Sequence, residues 1–357
     1  MTFLIAAAGT GGHVFPGLAV GEALSTLGVT REEVLFVGGD RLEARIYPGA
    51  GFPFLGVELR GFQRSLTVRN LSLPRVVWRA RDLIGARMRE RGVRVALGMG
   101  GYVTVPTALA ARSARIPLLI AEQNAGAGLA NRIVSRWAVR SFTSVPNTHG
   151  LEDGEWVGNP VRQSLASFDR DLLRPQALSH YGLDPDHPVL GVFGGSLGAG
   201  LINAAVSGLL EVWEGAPIQV LHLTGEGNLT PVTVSTGTAT WQRKPFEERM
   251  ELFYAACDLV VARAGGGVAE LTVTGTPSIL IPGEFGSSGH QALNARFLET
   301  AGAAVVLTQD RIEDLPRRVE EILFSAARLA AMRVAASEIA KPEAAMTIAD
   351  AMLEMTR

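Results

Sequence analysis

The residues best suited to chemistry lie in four glycine clusters, each preceded by a short apolar run and followed by a helix-like stretch. Phe3–Ala8 leads into Gly9-Thr10-Gly11-Gly12, with Pro16 suited to a first helical turn. Arg94–Leu97 leads into Gly98-Met99-Gly100-Gly101. Val189–Phe193 leads into Gly194-Gly195-Ser196-Leu197-Gly198, and Leu259–Ala262 into Gly265-Gly266-Gly267. Glycine lets backbone approach a ligand closely, and a following helix aims unpaired N–H groups and its positive end at an anion. A single loop of this kind is often only tight packing. Four at corresponding places point to phosphate, because open α/β sheets bind ligands at the carboxyl ends of their strands. The obvious rival is a dinucleotide-dependent dehydrogenase, with G-x-G-x-x-G and an acid after the second strand. Gly9-Thr10-Gly11 starts that fingerprint and Asp40 follows Val34–Val37, but Val14 stands at the third glycine position. The match is poor.

The elements that must position these loops alternate. Val34–Val37, Pro117–Ala121, Gln219–Leu223, Ser278–Ile281 and Ala304–Leu307 add strand-like runs between helix-like ones. Such alternation predicts an α/β fold with parallel sheets and right-handed crossovers. Two glycine-loop units lie before about residue 125 and two after about residue 188, which predicts two Rossmann-like, doubly wound domains facing each other. Gly158-Asn159-Pro160 interrupts both periodicities and reads as the hinge. The expected division is 1–160, 161–340 and a closing helix at 341–357, with Ala345, Ile348, Ala349, Met352 and Leu353 on one apolar face.

Composition narrows the class. A single cysteine, Cys257, among 357 residues excludes an internal disulfide framework and a cysteine-rich zinc site. A reducing, cytoplasmic compartment is its simplest home. Nothing near Phe3–Ala8 has the pattern of a targeting peptide, since no basic residue precedes it. Pro188–Leu210 is free of charge over 23 residues, yet its six glycines fit a strand, turn and helix better than a membrane span. The net charge of −2 hides an asymmetry: residues 1–160 carry +6 and the remainder −8. A basic half suggests an anionic partner. Its excess sits in Arg64–Arg94, where Arg64, Arg69, Arg75, Arg79, Arg81, Arg87, Arg89, Arg91 and Arg94 face only Asp82 and Glu90. Leu71, Leu73, Val76, Val77, Trp78, Leu83 and Ile84 are interleaved with them, the pattern of a peripheral contact with an anionic bilayer. Val76 and Ile84 individually fit the core better.

Ala8-Gly9-Thr10-Gly11-Gly12-His13-Val14-Phe15-Pro16-Gly17-Leu18-Ala19-Val20 resembles the opening of the MurG family of bacterial peptidoglycan glucosaminyltransferases. Further matches follow in order along nearly the whole chain. They are Gly100-Gly101-Tyr102-Val103, Glu122-Gln123-Asn124, Gly158-Asn159-Pro160-Val161-Arg162, Gly194-Gly195-Ser196, Arg263-Ala264-Gly265, Ala269-Glu270-Leu271 and His290-Gln291. The resemblance implies a GT-B glycosyltransferase with its site in a cleft between the domains and its last helix returning to the N-terminal domain. It implies transfer of N-acetylglucosamine from UDP-N-acetylglucosamine to undecaprenyl-diphospho-N-acetylmuramoyl-pentapeptide. The N-terminal domain would take the lipid acceptor at the cytoplasmic membrane face, and the C-terminal domain the donor. A UDP-sugar epimerase of similar architecture and a non-catalytic nucleotide-sugar-binding protein are the alternatives.

Residue roles follow from that resemblance. His13 is the candidate base for the acceptor's 4-hydroxyl, and an imidazole's ordinary range suits proton transfer at neutral pH. A helix-capping or acceptor-binding histidine is the alternative reading of His13, and His222 and His290 keep the base assignment open. Glu270 would accept the ribose hydroxyls, Gly195 and Ser196 would hold the UDP phosphates, and Arg162 would add a permanent charge. Asn124, His290 and Gln291 would read the sugar, and the backbone of Phe246 would meet uracil, although a phenylalanine is more often core. Thr10, Gly11 and Gly12 complete the donor set, and Gly9, Gly12, Gly100, Gly101 and Tyr102 form the acceptor set. Two D-x-D matches, Asp169-Arg170-Asp171 and Asp184-Pro185-Asp186, lie away from strand-end loops, so neither a metal nor another cofactor is expected. No nucleic acid is expected as a partner; other proteins of cell-wall synthesis are admitted. Ala121 stands where the family has histidine, and Leu197 where many members are polar, which bears on substrate orientation rather than class.

Overall fold

The computed structural model describes residues 2–58, 73–195, 198–225, 227–228, 232–283 and 289–356. Ser196, Leu197, Arg64, Arg69 and Leu71 therefore lie outside the described residues. The chain divides into two compact units, Met1–Gln163 with Pro342–Arg357, and Ser164–Lys341.

The first unit holds β1 (Thr2–Ala6), β2 (Val34–Gly38), β3 (Phe54–Gly56), β4 (Val93–Gly98), β5 (Leu118–Glu122), β6 (Arg140–Thr143) and β7 (Glu155–Trp156). Their order across the sheet is β3-β2-β1-β4-β5-β6-β7, and every pair is parallel. This is the doubly wound order that reverses direction between β1 and β4. Every residue of β1, β2 and β5 is buried, which continuous apolar runs permit when helices cover both faces. On one face, the helix Gly11–Thr26 packs with the closing helix Ala344–Glu354, and Val14, Leu18, Ile348, Ala349 and Met352 share one core. Ala345 lies in the same core and Leu353 packs against it. On the other face, Ile84 and Met88 of the helix Leu73–Arg91 join Ala108 and Ala111 of Thr104–Ala114.

The second unit holds β8 (Val189–Phe193), β9 (Ile218–Leu223), β10 (Val232–Thr236), β11 (Ala239–Lys244), β12 (Leu259–Ala262), β13 (Ser278–Leu280) and β14 (Ala304–Val306). Their order is β10-β11-β9-β8-β12-β13-β14, parallel except for the antiparallel pair β10–β11 at one edge. Without β10 it repeats the order of the first sheet from β3 to β6. The charge-free stretch from Pro188 is β8, a glycine loop and the helix Gly200–Glu211. Among the described residues, no helix is long and apolar enough to cross a membrane.

Candidate active-site loops

In the first unit, loops leaving β1, β4 and β5 converge on His13. The backbone of His13 is fixed in the first turn of its helix, where its N–H bonds Thr10 O at 3.0 Å. Its ring lies against the Gly100–Gly101 turn, whose φ values of 84° and 75° belong to the left-handed region that glycine enters without strain. A Cβ on Gly100 would stand 3.2 Å from His13 Cε1, and one on Gly101 would stand 2.5 Å from the Ala8 carbonyl. Side chains there would push the imidazole aside and part the two loops. His13 Nδ1 pairs with Gln123 Oε1 at 2.7 Å, directly after β5.

Two buried carboxylates hold these loops. Glu122 accepts from Asn124 N (3.1 Å), Asn124 Nδ2 (3.1 Å), Gly128 N (3.0 Å) and Asn131 Nδ2 (2.9 Å). Glu43 is fully buried, and its Oε1 accepts from Gly39 N (2.9 Å), Tyr102 OH (3.3 Å) and Gly9 N (3.4 Å). Burial and the Glu43 charge push the Tyr102 phenol up to about 12, so it stays a hydrogen-bond donor. The exposed Asp40, the acid of the dehydrogenase fingerprint, makes none of these bonds. Glu43, three residues later, is committed to the chain's own N–H groups. Arg162 belongs to this unit too, with its guanidinium 5.7 Å from the Phe15 ring centroid.

In the second unit, Gly194–Gly198 closes with a bond from Gly198 N to Gly195 O at 2.9 Å and delivers the chain to the helix Gly200–Glu211. Gly195 has φ 98°, and an added Cβ there would meet nothing within 4 Å. Gly198 has φ 72° and lies hard against the Thr224 carbonyl, with no room for a Cβ. That carbonyl accepts from Asn203 Nδ2 at 3.0 Å. Asn203 Oδ1 pairs with His222 Nε2 at 3.0 Å, and Trp241 Nε1 donates to His222 Nδ1 at 3.3 Å. An indole only donates, so Nδ1 is the acceptor and Nε2 carries the proton. Burial holds His222 down at about 4, with Arg243 adding to the effect. Fully buried and occupied at both nitrogens, His222 is a brace, which removes it from the candidate bases.

The remaining candidates surround the same sheet end. Glu270, in the helix Gly267–Val273, accepts from Tyr254 OH at 2.8 Å. Gln291 Oε1 accepts from Gly283 N at 2.7 Å, and half-buried His290 begins the helix His290–Ala301. Phe246 is 38% exposed rather than core. Its turn is held by buried Glu247, which takes Lys244 Nζ at 2.7 Å, Tyr181 OH at 2.9 Å and Arg249 N at 3.0 Å. Both D-x-D pairs have local work. Asp169 caps the helix Arg170–Tyr181 through Leu172 N, and Asp184 pairs with Asp186 N and His187 ahead of β8. Sequence reasoning passed over Gln123, Glu122 and Glu43 as parts of the site. The first two stand inside a quoted motif, and that was the available signal.

Comparison with known proteins gives one family match in each part of the chain. Residues 3–143 match the glycosyltransferase family 28 N-terminal domain, and residues 189–348 match the family 28 C-terminal domain. A protein of Mycolicibacterium paratuberculosis is 38% identical, with 100% of this chain and 89% of that protein covered. Another, from Listeria monocytogenes, is 35% identical with both chains covered at 100%. Both are named UDP-N-acetylglucosamine–N-acetylmuramyl-(pentapeptide) pyrophosphoryl-undecaprenol N-acetylglucosamine transferase. The crystal structure of Acinetobacter baumannii MurG superposes with a TM-score of 0.78 at 28% identity, covering 99% of each chain.

Proposed function

The chain belongs to glycosyltransferase family 28, and from that premise we propose that it moves N-acetylglucosamine from UDP-N-acetylglucosamine to the muramoyl 4-hydroxyl of undecaprenyl-diphospho-N-acetylmuramoyl-pentapeptide. The observation that carries this reading is an imidazole seated between two glycine turns in one unit and a glycine loop leading into a helix in the other. Each half suits one part of the transfer.

The donor's diphosphate meets Gly195, Ser196 and the first N–H groups of the helix Gly200–Glu211, where the positive helix end favours an anion. Glu270 takes the ribose hydroxyls, and the turn at Phe246 takes uracil. Asn124, His290 and Gln291 read the sugar, with Thr10, Gly11, Gly12 and Arg162 completing the donor contacts. Gly9, Gly12, Gly100, Gly101 and Tyr102 receive the acceptor. His13 takes the proton of the 4-hydroxyl as that oxygen bonds to the anomeric carbon and the bond to UDP breaks, inverting the centre. Helix N–H groups and the Arg162 charge stabilise the departing diphosphate without a metal. The product is the disaccharide lipid used in peptidoglycan synthesis, which serves cell shape and division.

The lipid acceptor requires a membrane face at the cytoplasmic side. On the helix Leu73–Arg91, Trp78 is 53% and Leu83 46% exposed, and Arg75 and Arg79 are exposed beside them. Ile84 is fully buried and Val76 packs against the core, so the helix has a core side and an outer side. Arg81 is tied to Asp82 and to Ser113, which leaves Arg75 and Arg79 as the better probes. Basic residues near an anionic surface are worth about 1 kcal/mol each. Arg75→Glu with Arg79→Glu should sharply reduce co-sedimentation with anionic vesicles while sparing UDP binding. Sedimentation equal to wild type would remove this helix from the membrane face.

The deciding experiment is transfer of labelled N-acetylglucosamine to the lipid acceptor in the presence of chelator. Wild type should form the disaccharide lipid, and His13→Ala should be slower by roughly 10²–10⁴-fold. An epimerase would instead convert UDP-N-acetylglucosamine without acceptor, and a binding protein would leave it unchanged.

A further inference from the structure

Gln123 holds the imidazole of His13, and the orientation of its amide can be worked out from its partners. Gln123 Nε2 lies 2.9 Å from the Ala121 carbonyl, which also receives Asn131 Nδ2 at 3.0 Å. A carbonyl oxygen only accepts, so the end of the amide facing Ala121 must be the NH₂. The other end, 2.7 Å from His13 Nδ1, is then an oxygen. Two acceptors cannot face each other at that distance, so Nδ1 bears the ring proton. In the neutral imidazole, Nε2 therefore carries the lone pair. It has no hydrogen-bond partner among the described residues.

The parts that enforce this are rigid. Gln123 is 3% exposed and follows β5 directly, and Glu122 beside it pins Asn124, Gly128 and Asn131. The His13 backbone is fixed by its helix turn, and the Gly100–Gly101 turn leaves room for the ring. Ring plane and tautomer are both set before a substrate arrives.

We propose that Gln123 is a positioning residue that fixes the Nδ1–H tautomer of His13 and so presents Nε2 as the proton acceptor in sugar transfer. The proposal rests on the reading of His13 as the base. A ring held in the other tautomer would offer an N–H to the acceptor hydroxyl and could not take its proton. The opposite arrangement is present at His222, where Trp241 donates to Nδ1 and places the proton on Nε2.

The test is nitrogen-15 NMR of histidine-labelled full-length protein above the titration range of the rings, with the His13 signal assigned by its loss in His13→Ala. Wild type should show a protonated Nδ1 and an unprotonated Nε2. Gln123→Met keeps length and bulk but deletes the amide. It should lose that signature and lower turnover roughly 10–100-fold, while UDP affinity and melting temperature stay near wild type. Should Gln123→Met fold poorly, Gln123→Glu, which still offers an oxygen to Nδ1, should retain the Nδ1–H signature. A protonated Nε2 in wild type, or an unchanged signature and rate in Gln123→Met, would overturn the proposal. Full turnover by His13→Ala with the Nδ1–H signature intact in wild type would overturn the base reading while upholding the tautomer, so the two failures are distinguishable.

Discussion

The two units share a strand order but brace their glycine loops with opposite chemistry. In the first unit the braces are carboxylates, Glu43 and Glu122, each accepting several N–H or O–H groups in the interior. In the second, the glycine loop is held by a neutral chain, Trp241 to His222 to Asn203 to the Thr224 carbonyl. The overall charges run the other way, since the first 160 residues are basic and the remainder acidic. The sign of the bracing groups therefore does not follow the overall charge of the part that holds them. A fixed carboxylate about 8 Å from a phosphate charge would cost about 2 kcal/mol at an effective dielectric near 20. On the proposed placement of the donor diphosphate at Gly194–Gly198, a neutral brace avoids that cost, whereas Glu43 and Glu122 spend their charge on the chain's own N–H and O–H donors.

The largest expected effect comes from removing a carboxylate brace. Glu122→Ala removes the acceptor shared by Asn124, Gly128 and fully buried Asn131, and leaves Asn131 Nδ2 only the Ala121 carbonyl. Each stranded buried donor costs about 1–3 kcal/mol, so the first unit should lose about 3–5 kcal/mol. Hydrogen exchange read separately over the two units should show the loss confined to residues 1–163 and the closing helix, with UDP affinity preserved. Equal protection in both proteins would mean that Glu122 does not brace this unit.

The second effect is acid sensitivity of the neutral brace. Burial lowers His222 to about 4 from an unfolded value of 6.5. The unfolded chain therefore binds the proton first, and stability falls as pH drops below about 6.5 toward 4. The shift corresponds to about 3 kcal/mol when fully expressed, to order of magnitude. Urea unfolding followed by tryptophan fluorescence between pH 7 and 4.5 should show this slope, and His222→Gln should flatten it. An identical slope in the variant would assign the acid sensitivity elsewhere. Glu247, whose carboxyl is held low against burial by Lys244, Arg249 N and Tyr181, contributes only at more acidic pH.

These braces mark the boundary of what the sequence discloses. The glycine loops, their strands and the closing helix are legible because apolar runs and glycine are local signals, and β1, β4, β8 and β12 occur where those runs lie. The short strands β6 and β7 and the pair β10–β11 carry no such run. Arg140–Thr143 is polar at both ends, and its pairing comes from β5 beside it. His13 is visible through its loop, but Gln123 lies 110 residues away and is brought to it by the sheet. Asp40 stands at the spacing expected of a ligand-binding acid, yet it is exposed while Glu43 turns inward. Which carboxylate meets a loop depends on the direction of the helix after β2, which no local pattern specifies.

The smallest effect tests whether the acids of the second unit are kept for structural work. Asp169 could be read as half of a metal-diphosphate motif with Asp171. Its carboxylate instead accepts from Leu172 N at 3.1 Å and begins the helix Arg170–Tyr181. Behind that helix start, Arg170, Arg174 and Arg333 converge on Asp258 at 2.6, 3.0 and 3.7 Å, so the neighbouring cations are engaged by a different acid. A lost cap costs about 1 kcal/mol. Asp169→Ala should therefore lower stability by that amount and leave sugar transfer unchanged, with or without chelator. Asp169→Asn, which keeps a capping oxygen, should lose only a fraction of it. A transfer rate that collapsed in Asp169→Ala, or recovered on adding magnesium, would bring an acid back to the diphosphate and break the contrast between the two units.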